Sequence, residues 1–139
     1  MRTGLHGYID ILGRAELDEP MLVTWSRNGG KSWGEPSRIH VNDKLVSGIW
    51  PRAAVTQEGV LALLRSRPDA SVVFNPDGTG TIWTDEMKFL DVHEGGSMHA
   101  MDLIAPDTVL VTYIAKFHRS KEKYAHLKAL PITVRKKSR

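Results

Sequence analysis

Eight short apolar runs, none longer than ten residues, divide this chain, and turn-forming residues bound each of them. They are GYIDILGR (7–14), PMLVTWS (20–26), PRAAVTQ (51–57), GVLALLRS (59–66), ASVVFN (70–75), MHAMDLIA (98–105), TVLVTYIA (108–115) and AHLKALPITV (125–134). All are rich in Val, Ile, Leu, Thr and aromatic residues, which suit a pleated, half-buried surface. Between them lie NGG, QEG, NPDGTG, HEGG and APD, where Gly and Asn permit positive φ and Pro presets it. Helical periodicity is nearly absent. Many short strands at regular spacing predict an all-β sandwich, barrel or propeller.

An internal repeat chooses among these. A shift of 49 positions lays PRAAVTQEGVLALL (51–64) on AMDLIAPDTVLVTY (100–113) without gaps. The same shift lays LVTWS (22–26) on SVVFN (71–75). A unit of about 40–50 residues with four short strands is the size of one propeller blade. Blades are therefore expected at 7–41, 51–92 and 98–134, within one domain of residues 1–134 and before a basic tail, 135–139. The first would lack its inner strand and the third its outer one, so the chain reads as about three blades of a larger ring. Soluble proteins rarely leave sheet edges bare. A homodimer closing the ring, or a longer parent chain, is the expectation.

Composition narrows the chemistry. With 41% hydrophobic and 25% charged residues, the 139-residue chain is globular in character. It has no cysteine, so neither disulfides nor thiolate metal sites are available. Four of the basic residues behind the net charge of +3 fall in PITVRKKSR (131–139), which reads first as a solvated end. Nucleic acid as a partner rests on that tail alone and is disfavoured. No run reaches membrane-spanning length and no secretory leader is visible at Met1, so no membrane partner is expected.

The most specific local pattern is SRNGGKSW, with Ser26, Asn28, Gly30, Ser32 and Trp33 at fixed spacing. Ser and Asn side chains bond nearby backbone groups in such turns, glycine permits positive φ, and Trp33 is expected to fold back as an apolar plug. NPDGTGTIW, with Asn75, Asp77, Gly80 and Trp83, is a looser copy one residue longer. SRNGGKSW resembles the Asp box, with Asn28 in the aspartate position. With the repeat, it makes the chain from about Gly7 to Val134 similar to the C-terminal half of a sialidase, a six-bladed propeller.

The resemblance implies an anionic sugar or glycan as ligand, held by arginines. Guanidinium forks match a carboxylate bidentately and stay charged at any working pH. Arg14 and Arg67, each after the second strand of its blade, look like two of the family's three substrate-carboxylate arginines. Arg52, Arg65 and His99 are further pocket candidates, with Arg65 competing with Arg67 for the same register. Sialidases attack through a glutamate-activated tyrosine, with an aspartate as acid/base. GGSMHAMDL (95–103), where that tyrosine would fall, contains none. Methionine and alanine cannot form the aryl glycoside, and Tyr113 and Tyr124 lie on later strands. No catalytic residue is assigned. The two functional expectations are a diverged or partial sialidase-like hydrolase domain and a non-catalytic glycan- or protein-binding module.

Other constellations are weaker. His99 and Asp102, three apart on a strand, point to opposite faces. The remaining histidines lack metal-ligand spacing, NPDGTG lacks the acidic set of a calcium loop, and no P-loop follows any glycine cluster. Neither a metal nor a cofactor is expected.

Overall fold

A computed structural model describes residues 20–66, 69–90, 99–115 and 126–136. Among them every regular element is a strand, and the strands form antiparallel sheets. The run expected at 7–14 lies outside the described residues. In the first sheet, β1 (Leu22–Val23) pairs with β2 (Ser37–Arg38). A small hairpin follows, β3 (His40–Val41) with β4 (Lys44–Leu45), which the apolar runs do not reveal. Its two central residues, Asn42 and Asp43, have φ of 49° and 64°. That is the handedness of a two-residue hairpin turn, which Asn and Asp tolerate better than other side chains.

The second sheet is a four-stranded meander in chain order: β5 (Ile49–Val55), β6 (Leu61–Ser66), β7 (Ala70–Asn75) and β8 (Asp85–Leu90). The third has three strands, β9 (His99–Ala105), β10 (Thr108–Ala115) and β11 (His126–Thr133), again in chain order. Apart from those of β8, which none of the apolar runs covers, these bounds lie within about two residues of the runs; β7 and β9 end where Asn75 and Pro106 lead into turns.

All six residues of β6 are buried, since both faces of the second sheet are covered. Leu61, Leu63, Val73 and Trp83 pack with Met21, Val23, Ile39, Val41 and Val46 of the first sheet and its hairpin. From the opposite face, Ala62, Leu64, Val72 and Leu90 pack with Met101, Val109, Val111 and Ile132 of the third sheet. Leu61, Leu63 and Leu64 are at most 1% exposed. Each such side chain contributes about 1.5–3 kcal/mol by leaving water. Between the second and third sheets, β5 makes the main contact, with β9. A groove of about 630 Å³ opens farther out, between β7–β8 and the end of β11.

Strand register corrects the repeat length. Adding 48 to each member of Val55↔Leu61, Ala54↔Ala62, Ala53↔Leu63 and Arg52↔Leu64 gives Leu103↔Val109, Asp102↔Leu110, Met101↔Val111 and Ala100↔Thr112. All four of the latter pairs are observed. A shift of 49 would send Ala62 to Val111, reversing the faces, because one residue of slip turns every side chain over. The apolar pattern misleads here for a physical reason. β6 is apolar on both faces and therefore carries no parity signal.

With the even shift, the face of the second sheet toward the first corresponds to the face of the third sheet toward the second. Leu61 and Leu63 map to Val109 and Val111, and both pairs are buried against the preceding sheet.

Candidate functional site

The two tryptophan turns differ in how deeply they sit. In the first, Ser26 Oγ accepts from the Gly30 amide at 2.7 Å and donates to Asn28 Oδ1 at 3.1 Å. Asn28 Oδ1 also accepts from the Ser32 amide at 2.9 Å, while Asn28 Nδ2 donates to Ser32 Oγ at 2.8 Å. The loop is closed below by Gly34 N donating to Trp25 O and Thr24 Oγ1 to Gly34 O. Each bond is one that Asn makes without a charge.

In the second turn Asn75, fully buried, takes the central role. Its Oδ1 accepts from the Gly80 amide at 2.9 Å and its Nδ2 donates to Ile82 O at 2.5 Å. Trp83 Nε1 donates to Gly80 O at 2.9 Å, and Thr79 caps Asp77 Oδ1 through its amide and hydroxyl. Burial alone would raise Asp77, but those bonds outweigh it and hold the carboxyl below its ordinary range.

Trp83 is the plug of this turn, 3% exposed. Trp33 does not match the expectation of a buried plug. It lies beside Gly30 of its own turn and remains 43% exposed. Trp83 is covered by the first sheet and the β3–β4 hairpin, whose Val41 bridges to it. A contact not anticipated from the sequence joins the two turns. A Cβ built on Gly80 would sit 1.6 Å from Cζ2 of Trp25, so the indole occupies the space that glycine leaves.

Arg65, at the end of β6, is 7% exposed and fully engaged in a polar network. Its Nη1 donates to Asp69 Oδ1 at 2.6 Å and its Nε to Glu86 Oε1 at 3.2 Å, with Nη2 donating to the same Glu86 oxygen. Ser71 Oγ donates to Glu86 at 2.7 Å, and Lys88 Nζ pairs with Asp69 Oδ2 at 2.6 Å. Burial pushes both carboxyls upward, yet Lys88 and Arg65 at Asp69, and Ser71 and Arg65 at Glu86, outweigh it and hold both below the usual carboxylate range. Two cations and two anions neutralise one another. Beside the network is a polar cleft of about 380 Å³ between this face and the β3–β4 hairpin, where Lys44, Arg65, Asp85 and Glu86 also balance.

His99 opens β9 on the opposite face of the second sheet from Arg65. It is 9% exposed, stacked on Tyr113 at 6.4 Å between ring centroids and edge-on to Phe89 at 6.1 Å. Burial pushes its imidazole down from the ordinary value. Asp102 is exposed on the other face of β9, as the spacing of three requires. Arg52 is exposed on β5, with its Nη1 donating to Pro51 O.

Arg52, Arg65 and His99 therefore do not form one pocket. Arg14 and Arg67 lie outside the described residues. The Arg65 network could not be foreseen from sequence, since Glu86 stands 21 residues away and only the β6–β7–β8 register brings it close. The larger groove is walled by Phe74, Met87, Ile132 and Val134, with Asp77 and Lys136 at its rim. No family model, curated protein or solved structure matches this chain.

Proposed function

We propose that the chain is part of a sialidase-like β-propeller that binds an anionic sugar through rim arginines. The observation that carries the reading is the register-preserving shift of 48, which relates the second sheet to the third with the same face turned toward the preceding sheet. Close approach of β5 to β9, with a groove between β7–β8 and the end of β11, fits sheets that diverge from a common axis. Tryptophan turns at matching corners of the first two sheets fit it too.

For the ligand, the sialidase resemblance implies Arg14 and Arg67 as the sugar-carboxylate ligands, and engagement of Arg65 by Glu86 and Asp69 favours Arg67, two residues on, over Arg65 for that role. Calorimetric titration with N-acetylneuraminic acid tests this. Binding is expected for the wild type, with at least a tenfold loss in Arg14→Ala and in Arg67→Ala. Equal heats from all three proteins would remove both assignments.

A second reading, binding without turnover, is favoured by the described part of the stretch expected to hold a nucleophile. His99 is packed between rings, Ala100 is a bare methyl group and Met101 is buried in the core. Release of fluorophore from a sialoside by the purified chain, abolished by a single substitution, would overturn that reading.

A further inference from the structure

His99 stands in the core with both of its polar atoms unpaired. Its Nδ1 and Nε2 are buried, and neither has a hydrogen-bond partner. Among the described residues no other side chain leaves a buried nitrogen or oxygen in that state. Buried polar groups are nearly always bonded, so such an exception needs a physical cause. Packing does not supply one, because a hydrocarbon ring would pack here without an unmade bond. What imidazole adds is the capacity to take up a proton near neutral pH.

The place of the ring decides what a proton would do. His99 is the first residue of β9 and forms the last pair of the β9–β10 ladder, opposite Tyr113. It belongs to a trio of rings. Its plane lies 15° from that of Tyr113, and Phe89 of β8 is 6.1 Å from it and 5.0 Å from Tyr113. Phe89 comes from the second sheet and the other two rings from the third, so the trio closes one corner of the seam between them. We infer that His99 is an acid-sensitive latch at this corner: protonation expels the imidazole into water, frees the start of β9 and uncovers Phe89 and Tyr113, while the rest of the seam stays shut.

The charges around it favour expulsion. Cross-strand partners share a face, so Lys128, opposite Tyr113, and His126, opposite Ala115, stand on the face that carries His99. From the second sheet, Arg52 lies opposite Leu64 on the facing side of β5, and Asp85 opposite Phe74 on that of β8. β6 and β7 offer that side only uncharged residues. Asp85 is four residues from Phe89, about 13 Å along the strand. Among the described residues an imidazolium at this place would find no carboxylate at ion-pair distance, and water is what stabilises it. Burial already pushes the imidazole down from its ordinary value. Release is local, since it breaks only the terminal pair of a ladder and leaves Leu61 to Leu64 covered.

Hydrogen exchange of the full chain between about pH 7.5 and pH 5 tests this, with the histidine ring signals followed by NMR on the same samples. The His99 signal is the one lost in His99→Phe. Protection of the His99, Ala100 and Tyr113 amides, corrected for the intrinsic pH dependence of exchange, is expected to fall by up to about tenfold per pH unit below about pH 6.5. It should stay roughly a hundredfold or more below that of Leu63 and Leu64 throughout, because opening the corner is cheaper than unfolding the chain. His99→Phe, and His99→Gln, which is polar but takes up no proton, are each expected to abolish the fall at Ala100 and Tyr113. No fall in the wild type, or one that survives in either variant, would overturn the latch. A His99 signal that titrates at or above about pH 6.5 would also overturn it, since the proton is then accommodated inside. Equal protection at Ala100 and Leu63 would overturn it too, because the ring would then reach water only by global unfolding.

Discussion

Gly80→Ala is the substitution with the largest effect expected from the smallest change. Two costs combine. Gly80 has φ of +75°, where an L-residue costs about 1–2 kcal/mol, partly offset by the stiffer unfolded chain of alanine. The new Cβ would also lie 1.6 Å from Trp25 Cζ2 and 2.5 Å from Cε2. No adjustment of a few tenths of an ångström relieves that, so the indole must leave its place against the core between the first and second sheets. Losing the packing of a half-buried tryptophan costs about 2 kcal/mol, below the ~3–5 of a fully buried one. The total is about 3 kcal/mol, a substantial part of the roughly 5–15 kcal/mol that holds a domain folded.

In urea, with m of about 2 kcal/mol/M, the midpoint should fall by about 1.5 M. Circular dichroism is the suitable probe, because Trp25 is itself a fluorophore. The decisive measurement is the double variant. Trp25→Ala alone should cost about 2 kcal/mol, and adding Gly80→Ala should then cost only about 1 more, because the clash has gone. A double variant near the sum of the two, about 5 kcal/mol, would refute the claim that the indole and Gly80 share one space.

Two other perturbations test the polar groups. Arg65→Met leaves Glu86 and Asp69 without their buried cation and should destabilise by about 3 kcal/mol at neutral pH. Both carboxyls have folded pKa values below their unfolded ones, so the stability they contribute is present above about pH 4.5 and is lost as pH falls through the lower folded values. The difference between variant and wild type should therefore shrink below about pH 4, and a constant difference down to pH 2 would show that packing alone is responsible. For His99 burial disfavours the proton in the folded state, so stability is full above the ordinary histidine value and declines as pH falls below about 6.5. His99→Phe should flatten the stability curve between about pH 6.5 and pH 5, and an unchanged slope would place that titration elsewhere.

The strands were legible because each run is bounded by residues that cannot continue it. Ala70–Asn75 and Thr108–Ala115 are observed with the same bounds that composition and turns indicate. What stayed hidden was parity. LALLRS is apolar on every side, so no local pattern tells which of Leu61 and Ala62 faces the first sheet. The β3–β4 hairpin escaped notice because strands of two residues carry no periodicity, although Asn42-Asp43 is a turn signal. The tryptophan turns were visible as local chemistry, since their bonds span two to ten residues, whereas burial of the Trp83 ring depends on a neighbouring sheet. Arg65 looked like a rim ligand for the same reason: its carboxylate partner Glu86 is set by register across two strand pairs, which no spacing encodes.

A strand with no solvent face has a consequence for how the molecule can come apart. The middle sheet cannot persist after either neighbour peels away, because its Leu61–Leu63 side or its Ala62–Leu64 side would then be bare to water. Partial opening near β6 is therefore as costly as losing the whole structure, and the amides of Leu61 to Leu64 should exchange with solvent only through global unfolding. A cut made between the hairpin and Ile49 would then yield no independently folded fragment containing residues 49–90, only an oily sheet prone to clump.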